Sequence, residues 1–445
     1  MGVLSNENGV YTIKDVLRLE VAPALGCTEP AAVALCTAVA ASLLKDKTLE
    51  SIELWLSSSI YKNAFAVVIP GTDEAVGIEL AAALGYACGD PDLKLEVLAP
   101  VDSDATKRAR DLVASGRVKV NLLKDKSGIY IRARLQGDGE VAEAAIEETH
   151  DNLTSLRYND EAVTEHPLLS GFGASHSAVQ ELEEFLKRQT VVELLAMVEN
   201  MDADDFDFVR RGVTYNVDLA NHGLAFGSGL GVGKTLERLA REKLVQRDMM
   251  LAARILTSSA CDARMSGVKL PAMSSGGSGN HGLTAILPIW AVKDYVDGVA
   301  EKDVLKAIGL SHIITAYIKS HTGRLSAVCG CSVAAGAGAT AGVTYLLGGN
   351  VYHIASAIKN LIVDLAGVIC DGAKVSCSFK LATAAGTAVQ SALFALHGIS
   401  VAASDGIIGL TPEQTMRNMG QISTEGMIET DRTILSILMD KRFNQ

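Results

Sequence analysis

Positive charge is in short supply: 40 Lys and Arg stand against 52 Asp and Glu, a formal net charge of −12 over 445 residues. That balance disfavours non-specific binding to nucleic acid or to an acidic membrane surface, while leaving a locally basic pocket open. Cysteine is scarce too. Eight thiols, at positions 27, 36, 88, 261, 329, 331, 370 and 377, are too few for a disulfide scaffold in a chain of this length. No apolar export segment opens the sequence: Met1 to Val10 is polar and Tyr11 to Glu20 mixes charge with apolar residues, so a cytoplasmic protein is expected. Neither the Cys-x2-Cys knuckle of structural zinc nor the dense cysteine spacing of ferredoxins occurs. An HExxH helix is missing as well, which disfavours a zinc hydrolase. Between Leu325 and Ile358 charge itself is absent. Small residues dominate that stretch and Gly348, Gly349 and Asn350 break it, so closely packed buried helices are expected there, not a membrane span.

What is present fits a folded protein with a large core, at 48% hydrophobic and 21% charged residues. Ile13, Val16, Leu17 and Val21 give a helical face that stops at Gly26, and Thr28 caps a second helix running to Leu44. From about 49 to 160 the texture changes to short strand candidates, IELWLSS, FAVVIP, KLEVLAP, VKVNLL, IYIRARL and VAEAAIEE, the last two open between strand and helix. Helical interludes fall at 78–88 and 103–114. Beyond about 178 the pattern is overwhelmingly helical. The expected fold is therefore mixed: a large, mostly α-helical domain (161–445) rich in small residues, N-terminal helices (1–48) packing on it, and an inserted α/β unit (49–160).

Gly227 to Thr235 reads GSGLGVGKT, one residue short of a phosphate loop, because Ser228 stands where that pattern needs glycine. No convincing strand precedes it, so a glycine-rich lead into a helix is expected, with Lys234 left as a local anion ligand.

Chemistry concentrates in three places. Cys370 and Cys377 lie seven positions apart across CDGAKVSC, with Cys329 and Cys331 some forty residues upstream. Thiolates favour zinc or iron–sulfur over hard metals, yet free cysteines are also common as small core residues, and spacing leaves both readings open. Cys27, in ALGCTEP, sits where a helix N-terminus would favour its thiolate. The third place is PAMSSGGSGNHG, where Ser274, Ser275, Gly276 and the following glycines offer backbone N–H groups for a small carboxylate, and Asn280 and His281 offer side chains to orient substrate or move a proton. Asn63, His222, His321 and Arg324 are secondary candidates, Arg324 as a carboxylate ligand.

Taken together, LGCTEP, PGT at 70–72, SSGGSGNHG, HTGRLSAVCGC and CDGAKVSC resemble the L-cysteine desulfidase family of YhaM-type proteins, itself similar to the alpha domain of iron–sulfur L-serine dehydratases. The resemblance spans nearly the whole chain. It implies a pyridoxal-independent lyase that splits a small amino acid, L-cysteine or alternatively L-serine, with an oxygen-labile 4Fe–4S cluster on three cysteines. Cys370 and Cys377 match two ligands, and Cys329 the third, with Cys331 as its substitute. The resemblance further implies Cys27 as the base. Thr28, Glu29, Asn63, Ser274, Ser275, Gly276, Asn280, His281 and Arg324 are the expected substrate-binding residues. A non-catalytic small-molecule-binding protein is the alternative of another class, and Lys374 is the rival pyridoxal lysine. A homodimer is the default assembly.

Overall fold

The computed structural model describes residues 11–443 apart from 127, 166–168 and 170–172; the polar opening, residues 1–10, lies outside them. The described chain begins with α1 (Ile13–Glu20), β1 (Pro23–Leu25) and α2 (Thr28–Ser42). A sheet region follows: β2 (Leu49–Ser57), α3 (Ser58–Ala64), α4 (Ile78–Cys88), α5 (Ser103–Ala114), β3 (Val118–Leu123), β4 (Tyr130–Gly137), β5 (Glu140–Glu147), β6 (Leu153–Tyr158) and β7 (Glu161–Ala162). Its strand order is β3-β2-β4-β5-β6-β7, with β2 and β3 parallel and the remaining pairs antiparallel. The parallel pair requires a crossover, which α3, α4 and α5 supply. VAEAAIEE is strand. KLEVLAP is not: Pro91 starts a 3-10 turn that runs to Glu96, and Pro100 closes the far side. FAVVIP forms no regular strand either, only an isolated bridge between Val68 and Val76.

Helices make up the rest: α6 (Gly173–Leu186), α7 (Val191–Glu199), α8 (Ala203–Phe226), α9 (Val232–Arg241), α10 (Met249–Met265), then strand β8 (Pro271–Met273), α11 (Gly279–Val292), α12 (Glu301–Thr322), α13 (Ala334–Leu346), α14 (Val351–Leu365), α15 (Cys377–Leu396), α16 (Pro412–Gln421) and α17 (Ile428–Phe443). The mixed architecture, a large helical domain with an inserted sheet region, is as the sequence indicates.

Two hydrophobic cores divide these elements. The side chains of α1 join the helical core. Those of α2 do not: Ala32, Val33, Leu35, Cys36 and Val39 are buried in the sheet core beside α4, β4 and β5. Because α2 is apolar on every side, its periodicity never indicated a partner. Each Val or Leu so buried contributes roughly 1.5–3 kcal/mol. The chain passes from one core to the other near Cys27. The sheet also runs to Ala162, just past the expected boundary at 160.

The charge-free stretch from Leu325 folds as buried helices. Along α13, a β carbon at Gly338 would strike the Ser311 carbonyl of α12, and one at Gly342 would strike Ile289 of α11. Glycine there lets three helices meet at backbone distance. One described helix, α15, is long and apolar enough to cross a membrane; half of that window is buried inside the structure.

Candidate active site

Strands β1 and β8 pair antiparallel, Pro23 opposite Met273 and Leu25 opposite Pro271. This short ladder places the chain leading to Cys27 beside the chain leading to the serine-glycine loop. A second junction joins the late cysteines. Val328 and Ile369 form an antiparallel bridge, Cys329 N–H donates to Val368 O at 2.9 Å, and Cys370 N–H donates to Ala327 O at 2.6 Å. The forty residues between Cys329 and Cys370 are thus closed by backbone bonds. Cys377 then opens α15, and Asp371 braces the loop through Lys374 and Lys380, each at 2.6 Å.

These junctions deliver Cys27, Glu29, Asn63, Asn280, His281, Arg324, Cys329, Cys331, Cys370 and Cys377 to one cavity between the two cores. All the thiols are free. Among the described residues no three His, Cys, Asp or Glu side chains stand close enough to hold a single metal ion. Three helices also begin here without a side-chain cap, α2 at Cys27, α11 at Ser278 and α15 at Ser376. Their first-turn N–H groups and dipoles favour an anion.

Four expected residues line no part of this cavity. The Thr28 hydroxyl donates to Glu29 Oε2 at 3.2 Å. Ser274 N–H donates to Ala22 O and its hydroxyl accepts from Ala22 N–H; Gly276 N–H donates to Glu20 O. Ser275 exchanges backbone bonds with Ser278 and sets its hydroxyl 2.9 Å from His312 Nδ1. The nest expected at Ser274–Gly276 is therefore spent on holding the loop, and Gly277, Ser278 and the start of α11 face the cavity instead. His222 is also elsewhere, against Phe226 and Ser228, and His321 packs on Tyr317. The PGT turn is a support: Pro70 fills the space that a side chain at Gly26 would need.

Sequence reasoning missed the cations. Arg264, Lys319 and Lys380 line the cavity, Arg264 only 1% exposed. Arg264 donates to Asn280 Oδ1 at 2.8 Å and to Gly26 O at 2.5 Å, tying the starts of α11 and α2 together. Their one signal was charge on helices otherwise built of buried residues, such as LTSSACDARM and HIITAYIK. Burial, aided by Arg324, draws the Lys319 ammonium down to about 8. Arg324 itself is not free: Glu20 and Glu183 hold it at 2.7 and 3.0 Å.

Protonation reverses one expectation. Full burial, and then the nearby Glu29 carboxylate, push the Cys27 thiol well up. Its S–H donates to Glu29 Oε2 at 2.8 Å, so the thiol form is favoured where the helix terminus alone suggested thiolate. Burial would raise Glu29, but His150 and Cys27 outweigh it and hold the carboxyl near 2. His150 Nε2 stands 3.8 Å from Glu29 Oε1, beyond ordinary hydrogen-bond reach. His281 is drawn down to about 3, by burial first and then by Lys319. Its Nδ1 lies 3.1 Å from Ser275 O, which can only accept. Nδ1 must then carry the proton, leaving Nε2 as a bare acceptor packed over Gly330. Among the late thiols, hydrogen bonding from Cys331 outweighs burial and favours Cys329 as thiolate, with Ser332 Oγ adding a donor at 3.4 Å. Burial raises Cys377 to about 11.

The glycine loop at 227–235 follows a helix, α8, not a strand, and is no phosphate loop. Lys234 donates to Ala225 O at 2.9 Å.

The model of the serine dehydratase alpha chain matches residues 94–436. The chain belongs to the serine dehydratase alpha chain family. That membership places it in the serine-dehydratase-like lyase superfamily. It is also 55% identical over 436 residues to a UPF0597 protein of Desulfatibacillum aliphaticivorans, covering 98% of this chain and 99% of that one. A UPF0597 protein of Desulforapulum autotrophicum is 53% identical over 98% of each chain. One of Desulfotalea psychrophila is 53% identical over 97% of this chain and 99% of its own.

Proposed function

We propose that this protein is an iron–sulfur-dependent, pyridoxal-independent lyase that eliminates hydrogen sulfide from L-cysteine, leaving aminoacrylate, which hydrolyses to pyruvate and ammonia. The observation that carries this reading is the meeting of Cys329, Cys331, Cys370 and Cys377 at one buried cavity that also holds Cys27, His281 and four cations. Four thiols lining one cavity are the donor type that an iron–sulfur cluster takes. Cys329, Cys370 and Cys377 are assigned as its ligands. Cys331, which stabilises the Cys329 thiolate, is the substitute for it. A 4Fe–4S cluster bound there would supply a Lewis-acidic iron for the substrate carboxylate and the leaving sulfur.

The remaining roles belong to the chain. Arg264, Lys319 and Lys380, with the first-turn N–H groups of α11, favour the substrate carboxylate and the charge that develops during elimination. His281 Nε2 is the acceptor for the Cα proton. Cys27, held as a thiol by Glu29, donates a proton to the departing sulfur. The two roles are assigned on placement: a bare imidazole nitrogen and a thiol proton line the same cavity. Cys27 thus takes the acid role in place of the base role that the resemblance implied. Lys374 suits a pyridoxal linkage poorly, because Asp371 and Gly372 O hold its ammonium.

Anaerobic purification followed by metal analysis and assay tests the whole reading. About four irons per chain, sulfide and pyruvate released in equal amounts from L-cysteine, loss of activity in air, and resistance to carbonyl reagents are the expected results. An air-stable activity with a pyridoxal absorbance band would overturn it. A second reading, L-serine dehydration by the same groups, is favoured by the family description itself; pyruvate formed faster from L-serine than from L-cysteine would select it.

A further inference from the structure

Cys27, Glu29, His281 and Cys329 are each at most 6% exposed. A substrate therefore needs a way to them. Beside the thiol cavity lies a larger one of about 780 Å³, bounded by Ser58 and Ser59 of α3, Lys124 and Asp125 after β3, Glu183 of α6, and Thr424, Ile428 and Leu435 near the C-terminus. The two cavities share Arg324, Leu325 and Ser326. The segment that leaves α12 at Gly323 and leads to the Cys329 turn is thus the wall between them.

The fastenings of that wall are uneven. On its inner side, Lys319 Nζ donates to Arg324 O at 2.9 Å, and the buried Lys62 approaches Ser326 O at 3.4 Å. On the other side, the Arg324 side chain is held between Glu20 and Glu183. Glu20 is 4% exposed at its side chain, whereas Glu183 is 26% exposed and faces the larger cavity. At the start of the segment Gly323 has φ +78°, and nothing lies within 4 Å of where a β carbon would sit. A glycine in open space is a pivot; of the two ion pairs, the one to Glu183 is the more open to solvent, at 26% against 4% for Glu20, and is the fastening that yields first.

We propose that residues 323–326 form a gate, that the 780 Å³ cavity is the vestibule through which a small amino acid reaches the thiols, and that the Arg324–Glu183 pair is its latch. The inference rests on the proposed reading of the thiol cavity as the active site. It concerns access, however, and access is measurable without turnover.

The test is the rate at which iodoacetamide labels Cys27 and Cys331 in the anaerobically purified protein, followed by peptide mass spectrometry. Half-buried Cys88, on α4 in the sheet core, is the internal reference. In Glu183→Gln both cavity thiols should label about fivefold faster, with Cys88 unchanged. Thr424→Trp places a large ring on an exposed wall of the vestibule and should slow both about tenfold. Unchanged labelling in Thr424→Trp overturns the route. An unchanged rate in Glu183→Gln overturns the latch, as does equal acceleration at Cys88, which marks general loosening. If the labelling pattern holds in a protein without lyase activity, the functional reading fails and the gate stands; active enzyme with unaltered labelling gives the converse.

Discussion

Two glycine-rich loops lead into helices on either side of α10, and their chemistry diverges because of what fills each one. Asp262 and Arg264 lie two positions apart on α10, so they leave the helix on nearly opposite sides. Asp262 enters the loop at 227–233: the N–H groups of Leu230, Val232 and Gly233 face its carboxylate, that of Gly233 at 3.1 Å. This loop makes an anion site and satisfies it from within the chain. Arg264 goes to the other loop, where Gly279 lets the guanidinium lie against the start of α11. There the helix terminus stays open and faces the thiols. Resemblance to a ligand-binding motif therefore says less than whether the protein has already supplied the ligand.

The sharpest way to break the comparison is Gly282→Ala. A β carbon at Gly282 would overlap the Met273 carbonyl oxygen, backbone that β8 holds in place. We expect no soluble folded protein, or a loss above about 4 kcal/mol in denaturant unfolding. Gly231→Ala in the closed loop meets only Gly227 O, at 3.7 Å, and should cost just the strain of its φ of +66°, about 1–2 kcal/mol. Equal losses at the two positions would show that the open loop is no more tightly built than the closed one.

Histidine separates the loops by function. His281→Gln removes the bare Nε2 and should lower kcat about a hundredfold or more, with the unfolding midpoint little moved. His222→Gln, beside Ser228 at the closed loop, should leave kcat within about twofold. If His281→Gln keeps its rate, the proton acceptor lies elsewhere in the cavity.

Much of this arrangement was legible in the sequence, and the rest was hidden for definite reasons. Glycine and serine between apolar flanks marked the open loop, and the spacing of the late cysteines pointed to a shared place, which the cavity gives them. Periodicity separated sheet from helices, but it failed at KLEVLAP, where apolar residues alternating with charged ones between two prolines resemble a strand and fold as a tight turn. Arg264 and Lys319 stayed hidden because a pattern along one helix does not show that two helices turn their cations to the same cavity. Cys27 stands at a helix start, but its thiol is favoured over the thiolate that position suggests. The helix terminus is written in the sequence, whereas burial beside Glu29 exists only once both cores close.

Asp262 gives the next smaller effect. Asp262→Ala strips the acceptor from the closed loop and should cost about 1–3 kcal/mol, read as a lower Tm, with kcat moved far less than in His281→Gln. Burial raises the Asp262 carboxyl above its ordinary value. Its folded pKa thus exceeds its unfolded one, so the native state binds more protons in that interval and stability falls as pH rises through it. Asp262→Asn should therefore compare best with the wild type near neutrality and lose ground as pH drops toward the ordinary carboxylate range. The opposite trend would mean that the loop's N–H groups overcome burial and favour the charged form.

The smallest expected effect is at Lys234, the residue that makes the closed loop look like a phosphate loop. Its ammonium is already committed to Ala225 O at 2.9 Å, on the last turn of the helix before the loop. Cations at a helix C-terminus stabilise by about 0.3–1 kcal/mol, and that is the whole role the geometry gives it. Lys234→Ala should shift stability by no more than that amount. The anion seat beside it is occupied by Asp262, so added ATP or inorganic phosphate should raise Tm in neither the wild type nor the variant. A phosphate-dependent rise in the wild type that Lys234→Ala abolishes would mean that the carboxylate gives way to an outside anion. The two loops would then differ in affinity and not in kind.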